Sequence, residues 1–138
     1  MVQFRNCFFS LPDCGTDSDI TLADDGSIVN LTSPNYPANY PINPNTGITC
    51  QWFVQTASGA RVYAHFVDFS IAFSDNLYFG RDLNNIYEVG FTGYDLPLDV
   101  ASPVGSTMLV ITFKVFYYSS SERGFHLELS NAEEIGMC

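Results

Sequence analysis

The stretch that decides the fold is SPNYPANYP, Ser33–Pro41, in which Asn-Tyr-Pro occurs twice at an interval of four residues. Proline fixes φ, lacks an N–H group and disfavours the α region for the residue before it. We therefore expect Tyr36 and Tyr40 to be extended or polyproline-like, in a stiff loop between strands. Apolar, strand-like sequence flanks this loop on both sides. This context favours two tyrosines that anchor a loop over a flexible linker.

Outward from this loop, the chain consists of short apolar segments separated by turn residues. From Ile48, ITCQWFVQT alternates Cys50, Trp52 and Val54 with more polar positions. The segments RVYAHFVDF, NLYFG, MLVITFKVF and GFHLELS follow, with Gly, Pro, Ser and Asn between them. Alternation with a period of two, without intervening helices, predicts an all-β sandwich of antiparallel sheets. The length of 138 residues fits one domain.

The chain is acidic, with a formal net charge of −10 and a single lysine, Lys114. Nucleic-acid binding needs a basic surface, so the charge argues against a nucleic-acid partner. A cationic protein, a divalent ion or solubility alone fits the charge, and solubility is the default. The crowded N-terminal aspartates predict a solvated face, the alternative being a patch for a basic partner. They are Asp13, Asp17, Asp19, Asp24 and Asp25.

Cysteine usage indicates the compartment. Cys7, Cys14, Cys50 and Cys138 form no CxxC pair, so a zinc site is not expected. An even count without metal-ligand spacing predicts two disulfides and an oxidising, extracellular environment.

Two further features bear on secretion. Asn30-Leu31-Thr32 is a glycosylation sequon, so we expect Asn30 to be exposed and to carry a glycan. No apolar run approaches the roughly 20 residues that cross a bilayer. The start, MVQFRNCFFSLPDC, lacks the apolar core of a signal peptide, so a secreted protein with this start would be a processed form.

A series of motifs, taken in chain order, resembles the CUB domain family. The motifs are CG at Cys14, GSIVNLTSPNYPANYP, CQWFV, VYAHFVDFSI, DNLYFG, FTGYDLP and STMLVITFKVFYYSSSERGFHLELS. The resemblance divides the chain into an N-terminal extension (1–13), a CUB-like domain (14–131) and a C-terminal segment (132–138). It implies a compact antiparallel β-sandwich in a secreted or cell-surface protein, where the domain binds a partner and does not catalyse a reaction.

The resemblance also implies a disulfide pairing, because Cys14 and Cys50 match the first bridge of the family. A typical member has a second bridge, and both of its cysteines are absent here. Cys7 and Cys138 lie outside the matched region at opposite ends of the chain. Since the ends of a domain are often close together, we expect these two cysteines to bond to each other. The alternative is that each bonds to a neighbouring chain.

Many members of this family hold a calcium ion between loops and use those loops to grip a lysine or arginine of a partner. The three expected acidic ligands fall at about Ala72, at Asp75, and near Phe116 and Tyr117. Calcium prefers about six to eight oxygens with more than one carboxylate, and only Asp75 supplies one here. We therefore predict no tightly bound calcium and no cofactor.

No catalytic constellation is evident. His65 and His126 fall in predicted strands, and the sequence has no GxSxG elbow, so we interpret both histidines as structural and the chain as non-enzymatic. VFYYSSSERGF places Phe116, Tyr117 and Tyr118 in a loop near Arg123.

Exposed aromatic side chains in the loop near Arg123 would form a binding hot spot. The alternative is that they pack in the core or at an edge of the sandwich. The predicted partner-binding residues are Asp75, Phe116, Tyr117, Tyr118 and Arg123. The favoured function is a non-catalytic extracellular module that binds a protein or glycan through loops at one end of the sandwich. The alternatives are a structural component that assembles with copies of itself, and an accessory domain of a secreted protease whose catalytic residues lie elsewhere.

We predict that non-reducing peptide mapping links the Cys7 peptide to the Cys138 peptide within a monomer. In the chain-entropy model the Cys14–Cys50 and Cys7–Cys138 bridges stabilise the fold by roughly 4 and 5 kcal/mol, as upper estimates. Covalent dimers that a reductant dissolves would contradict the intramolecular pairing and favour the self-assembling component.

Overall fold

The computed structural model describes Cys14 and residues 18–131. Within this part the chain forms nine β-strands and no helix. The strands are β1 (Asp19–Leu22), β2 (Val29–Thr32), β3 (Ile48–Thr56), β4 (Val62–Ser70), β5 (Asn76–Gly80), β6 (Val89–Phe91), β7 (Val100–Ala101), β8 (Met108–Val115) and β9 (Gly124–Asn131).

The strands form two sheets. One has five strands in the order β1-β3-β8-β5-β6, and the other has four in the order β2-β9-β4-β7. The predicted all-β sandwich is confirmed. The expectation of purely antiparallel pairing needs one correction, because β1 runs parallel to β3, with Asp19 opposite Phe53. The other strand pairs are antiparallel.

The core fills the space between the sheets and follows the sequence alternation. Cys50, Trp52 and Val54 of β3 are buried, whereas Thr49 and Gln55 are exposed. On the facing sheet the buried apolar side chains of β9 are Phe125, Leu127 and Leu129. Successive side chains of a strand point to opposite faces, so β3 and β9 each contribute alternate apolar side chains to the core. Aromatic pairs such as Trp52 and Phe125, with ring centroids 6.0 Å apart and nearly perpendicular, join the two sheets.

A β-bulge in β4 moves the chain to a new register. Phe66 pairs with Leu127 of β9, and the next paired residue is Asp68 opposite His126. Phe66 and Phe69 are therefore both buried, although three positions separate them, and Val67 is exposed. A bulge places two residues opposite one, so it re-aims the side chains that follow. Here it turns the Asp68 carboxylate toward Tyr36 and Arg123.

The disulfide that the resemblance implied is present. Cys14 bonds to Cys50 of β3 with 5.5 Å between Cα atoms, and both residues are buried. The predicted Cys7–Cys138 bridge lies outside the described residues, as do Asp13 and Asp17. Asp19, Asp24 and Asp25 are exposed, in agreement with a solvated face.

The Ser33–Pro41 segment makes two turns between β2 and β3. The extended or polyproline-like backbone of Tyr36 and Tyr40 themselves stays a prediction. The amide of Tyr36 donates to the carbonyl of Ser33 (3.1 Å), and that of Ala38 donates to the carbonyl of Asn35 (2.8 Å). The Tyr36–Pro37 peptide bond is cis. Pro34 and Pro37 lie within these turns.

Phe113→Ala should lower the free energy of unfolding by about 3–5 kcal/mol, because it removes a buried ring and leaves a cavity. Phe113 is fully buried on β8, where its ring contacts Tyr40 (5.0 Å) and Phe125 (5.2 Å). Urea denaturation measures the change. Val104→Ala, at a residue that is 85% exposed, is the control and should stay within about 0.5 kcal/mol of wild type. Equal stability of the two variants would contradict this packing.

Candidate functional site

Four loops meet at one end of the sandwich, which we call the loop end. It comprises residues 33–47, 71–75, 92–95 and 116–123. The strand registers bring these loops together: Ile48 lies opposite Val115 and Asn76 opposite Lys114 in one sheet, while Ser70 lies opposite Gly124 in the other. Residues far apart in sequence therefore converge there.

The carboxylate of Asp75 is the centre of the loop end. Asp75 is fully buried, and it accepts hydrogen bonds from four donors. Oδ2 accepts from the hydroxyls of Tyr40 (2.6 Å) and Ser119. Oδ1 accepts from the Phe116 amide (2.9 Å) and the Ser74 hydroxyl (3.0 Å). The prediction that Asp75 contacts a partner is therefore wrong for this structure, because its side chain has no surface to offer.

Tyr40 brings the 33–47 loop into the hydrogen-bond network of Asp75. Its hydroxyl also accepts a hydrogen bond from the Ala72 amide at 3.0 Å. Burial, with the hydrogen bond to Asp75, raises the pKa of Tyr40 far above its ordinary value, so the phenol stays protonated and can donate. Its backbone is held as well: the Tyr40 amide donates to the Glu122 carbonyl (3.0 Å), and the Ser121 hydroxyl donates to the Tyr40 carbonyl (2.6 Å).

The sequence interpretation missed the serines of this network. Ser119 and Ser121 are buried, and the Ser121 amide donates to the Ser119 hydroxyl at 2.9 Å. Ser121 has a φ of 63°, which is uncommon for a residue other than glycine. The signal available in the sequence was the run of serines after Tyr118, since serine hydroxyls readily bond to nearby backbone groups in turns.

The predicted aromatic residues of the 116–118 segment lie at the surface. Phe116, Tyr117 and Tyr118 are 41%, 57% and 60% exposed. The ring of Tyr118 contacts those of Phe116 (5.6 Å) and Tyr117 (5.1 Å). Of the two alternatives left open by the sequence, the structure favours exposure over core packing.

A second aromatic pair at the loop end escaped the sequence interpretation. Phe73 and Tyr94 are 69% and 51% exposed, with ring centroids 5.1 Å apart. Tyr94 also approaches Glu122, with 3.5 Å between its hydroxyl and Oε2. The two residues belong to different loops that the Ile71–Gly93 bridge brings together, so no local pattern could have paired them.

Arg123 forms an ion pair within the chain. Its Nε and Nη2 donate to the two oxygens of Asp68 at 2.7 and 2.6 Å. The Tyr36 hydroxyl donates to the same carboxylate at 2.6 Å, and the Tyr36 ring lies 5.8 Å from that of His126. The hydrogen bonds from Arg123 lower the pKa of Asp68 well below its ordinary value. Arg123 and Tyr36 thus hold the loop end onto β4, and a partner-binding role of Arg123 stays a prediction.

The histidines are bonded to neighbouring side chains on the outside of the four-stranded sheet. His65 Nδ1 lies 2.7 Å from Asp99 Oδ1, and the hydroxyl of Tyr63 donates to the other oxygen of Asp99. The hydrogen bond from Tyr63, with a smaller one from His65, lowers the pKa of Asp99. His126 Nε2 donates to Asn30 Oδ1 at 2.8 Å. These contacts agree with the structural interpretation of both histidines.

A comparison with protein families now assigns the chain. The model of the CUB domain matches residues 14–129. The chain belongs to the CUB domain family. CUB domains are typically extracellular protein-interaction modules and are themselves non-catalytic, and the Cys14–Cys50 disulfide is typical of extracellular proteins.

Solved structures share the CUB fold. The full extracellular region of zebrafish Gpr126/Adgrg6 matches with a TM-score of 0.65 and 24% identity over 83% of this chain and 15% of that one. The CUB1-EGF-CUB2 domains of rat MASP-1 match with a TM-score of 0.63 and 18% identity over 81% and 42%. The MASP-1 CUB2 domain bound to Ca²⁺ matches with a TM-score of 0.60 and 20% identity over 80% and 96%. The chain thus spans less than half the length of the first two.

The residues of this CUB domain do not fit the calcium site that the family implies. The methyl side chain of Ala72 cannot coordinate a metal ion. Phe116 and the exposed Tyr117 offer no carboxylate either. The single carboxylate, Asp75, has its oxygens engaged by four donors of the chain. Within the described part, no three His, Cys, Asp or Glu side chains come together in a way that could hold a metal ion.

The described residues include no helix with the length and apolarity that crossing a bilayer requires.

Stability should depend on pH through the Asp68–Arg123 pair. The pKa of Asp68 is lower when folded than when unfolded, so its contribution is present above about pH 4 and is lost as the pH falls below that value. Because the pair is partly exposed, we expect at most about 1 kcal/mol. The thermal midpoint of Asp68→Asn should therefore fall less steeply than that of wild type as the pH is lowered from about 4 to about 2. Arg123→Gln should flatten the profile likewise; profiles parallel to wild type would contradict the assignment.

Asn30 is exposed on β2, the edge strand of the four-stranded sheet. Its Oδ1 accepts from His126, and a glycan would attach to Nδ2, so the two are compatible. Protein secreted from a eukaryotic host should therefore lose mass on treatment with an N-glycosidase. The Thr32→Ala variant breaks the sequon and serves as the control without a glycan. Equal masses of the two forms, apart from the substitution, would refute glycosylation.

Proposed function

We propose that this CUB domain is a non-catalytic extracellular recognition module that binds a partner protein through the loop end. Phe116, Tyr117 and Tyr118 are the central contacts, and Phe73 and Tyr94 extend the same surface. The observation that carries the proposal is the exposure of three consecutive aromatic side chains. The backbone of their segment is hydrogen-bonded to the buried carboxylate of Asp75. Aromatic residues in such positions supply most of the energy in many protein interfaces.

The backbone of the aromatic segment is constrained on two sides, which favours recognition. The Phe116 amide donates to buried Asp75. Gly47 packs so closely that a Cβ atom there would lie 2.6 Å from the Val115 carbonyl oxygen, and its φ of +74° is also unfavourable for other residues. A surface that is already ordered loses less conformational entropy on binding, so more of the contact energy appears as affinity.

Self-assembly is a second candidate. Outside the loop end, apolar side chains such as Leu98 (87% exposed), Val104 (85%) and Leu83 (63%) are available for contact with another copy. The net charge of −10 opposes association between copies, because like charges repel. Size-exclusion chromatography with light scattering separates the candidates: a monomer at micromolar concentration supports recognition, and a defined multimer supports assembly.

A role as an accessory domain of a secreted protease is the third candidate. The relatives from Gpr126/Adgrg6 and rat MASP-1 extend well beyond the matched domain. In such a protein the domain would supply binding, and the catalytic residues would lie in another domain. A glycan partner instead of a protein is tested by capturing material from extracellular fluid with the domain and treating that material with glycosidases.

The Tyr117→Ala, Tyr118→Ala double variant should lose a partner that wild type captures from extracellular fluid. Loss of hot-spot residues typically costs at least about 2 kcal/mol, equivalent to about thirtyfold weaker binding. Tyr87→Ala is the matched control, because Tyr87 is an aromatic with similar exposure (53%) on the β5–β6 connection. Mass spectrometry identifies the partner, and titration measures its affinity. Equal capture by the double variant and the control would refute binding through this surface.

A further inference from the structure

The structure joins the loops around one carboxylate where the fold family implies a calcium ion. An ionised carboxylate has about four acceptor sites, two on each oxygen. The four donors to Asp75 match this capacity, two on Oδ1 and two on Oδ2. A calcium ion that approached this carboxylate would therefore have to displace donors of the chain itself.

The donors come from three segments of the loop end, so Asp75 links those segments directly. Tyr40 belongs to the 33–47 loop, Ser74 to the 71–75 loop, and Phe116 and Ser119 to the 116–123 loop. The Tyr40 hydroxyl makes a second hydrogen bond to the 71–75 loop, because it also accepts from the Ala72 amide. We call Tyr40, Asp75 and Ser119 the hub.

We infer that Asp75 is a metal-independent positioning residue, whose hydrogen bonds order the 116–119 segment and fix the aromatic surface without a divalent cation. The inference extends the proposed function, since it concerns how that surface is presented. Its tests need no partner, so they can fail while binding through the loop end holds, and the reverse is also possible.

The chemistry of the donors supports this inference. A buried carboxylate is costly unless hydrogen bonds satisfy it, and bonds to a charged acceptor are stronger than those between neutral groups. Every donor to Asp75 is an O–H or N–H group of the chain itself, and no described His, Cys, Asp or Glu side chains gather there as a metal-ligand set. Calcium would gain one carboxylate and would lose the donors that already stabilise it.

The first test uses the wild-type chain with millimolar calcium or with a chelator. The thermal midpoint should be the same in both conditions, because a ligand that binds the folded state raises it. Amide hydrogen exchange of Phe116 and Ser119 should likewise be unchanged; the Ser119 amide donates to the Phe116 carbonyl at 3.0 Å. A higher midpoint in calcium, slower exchange at these amides, or one equivalent of calcium retained after dialysis would overturn the inference.

The second test removes single members of the hub. Asp75→Asn replaces one acceptor oxygen by an amide that donates, and Ser119→Ala removes one donor while keeping the carboxylate. In Ser119→Ala, and in Asp75→Asn if it folds, the Phe116 amide should exchange about tenfold to hundredfold faster than in wild type, as expected on loss of a hydrogen bond to a charged group.

Tyr40→Phe and Tyr36→Phe form a matched pair. Each removes a phenol hydroxyl that donates to an aspartate oxygen at 2.6 Å from the same loop, but only Tyr40 donates to Asp75. Tyr40→Phe should speed exchange at Phe116 and Ser119, and Tyr36→Phe should leave both near the wild-type rate. Equal exchange rates at Phe116 in Ser119→Ala, in both phenylalanine variants and in wild type would show that the hub does not order this segment, and would refute the inference.

Discussion

The hydrogen bond from Tyr40 to the buried carboxylate of Asp75 connects the proline-rich loop to the interior of the sandwich. Without it, Asp75 would be a buried charge with fewer donors, and such a group is costly in a protein interior. The bond also places the ring of Tyr40 against Phe113 of the core. Loop conformation and core packing thus depend on each other at the same side chain.

The two tyrosines of the repeated Asn-Tyr-Pro motif act in parallel but in different environments. Tyr40 is buried and donates to Asp75, while Tyr36 is half-buried and donates to Asp68 on the outside of the four-stranded sheet. Each phenol therefore links the loop to a carboxylate near the end of β4 or the start of β5. The repeat gives one loop two attachment points, one inside and one outside the sheet.

The acidic composition is partly accounted for by these internal contacts. Asp68 pairs with Arg123, Asp75 accepts hydrogen bonds from Tyr40 and Ser119, and Asp99 is hydrogen-bonded to Tyr63 and His65. Asp68 and Asp99 each hold a loop to a strand, and Asp75 holds three loops to one another. These are structural roles for charges that composition alone would assign to solubility or to a partner. Other carboxylates, such as those of Asp24 and Asp25, are exposed to solvent.

The amino-acid sequence by itself determined the sandwich, the long strands and their buried faces. For the loop that carries Phe116, Tyr117 and Tyr118, the sequence left two alternatives, and exposure was one of them. Strand alternation is local, so Trp52 and its neighbours could be assigned without a partner strand. The Cys14–Cys50 pairing came from the family resemblance. Tertiary structure alone decided that Asp75 is buried, that Arg123 pairs with Asp68, that β1 runs parallel to β3, and that Phe73 meets Tyr94. Each of these depends on which distant residue the strand registers bring near, and no local pattern of side chains encodes that choice.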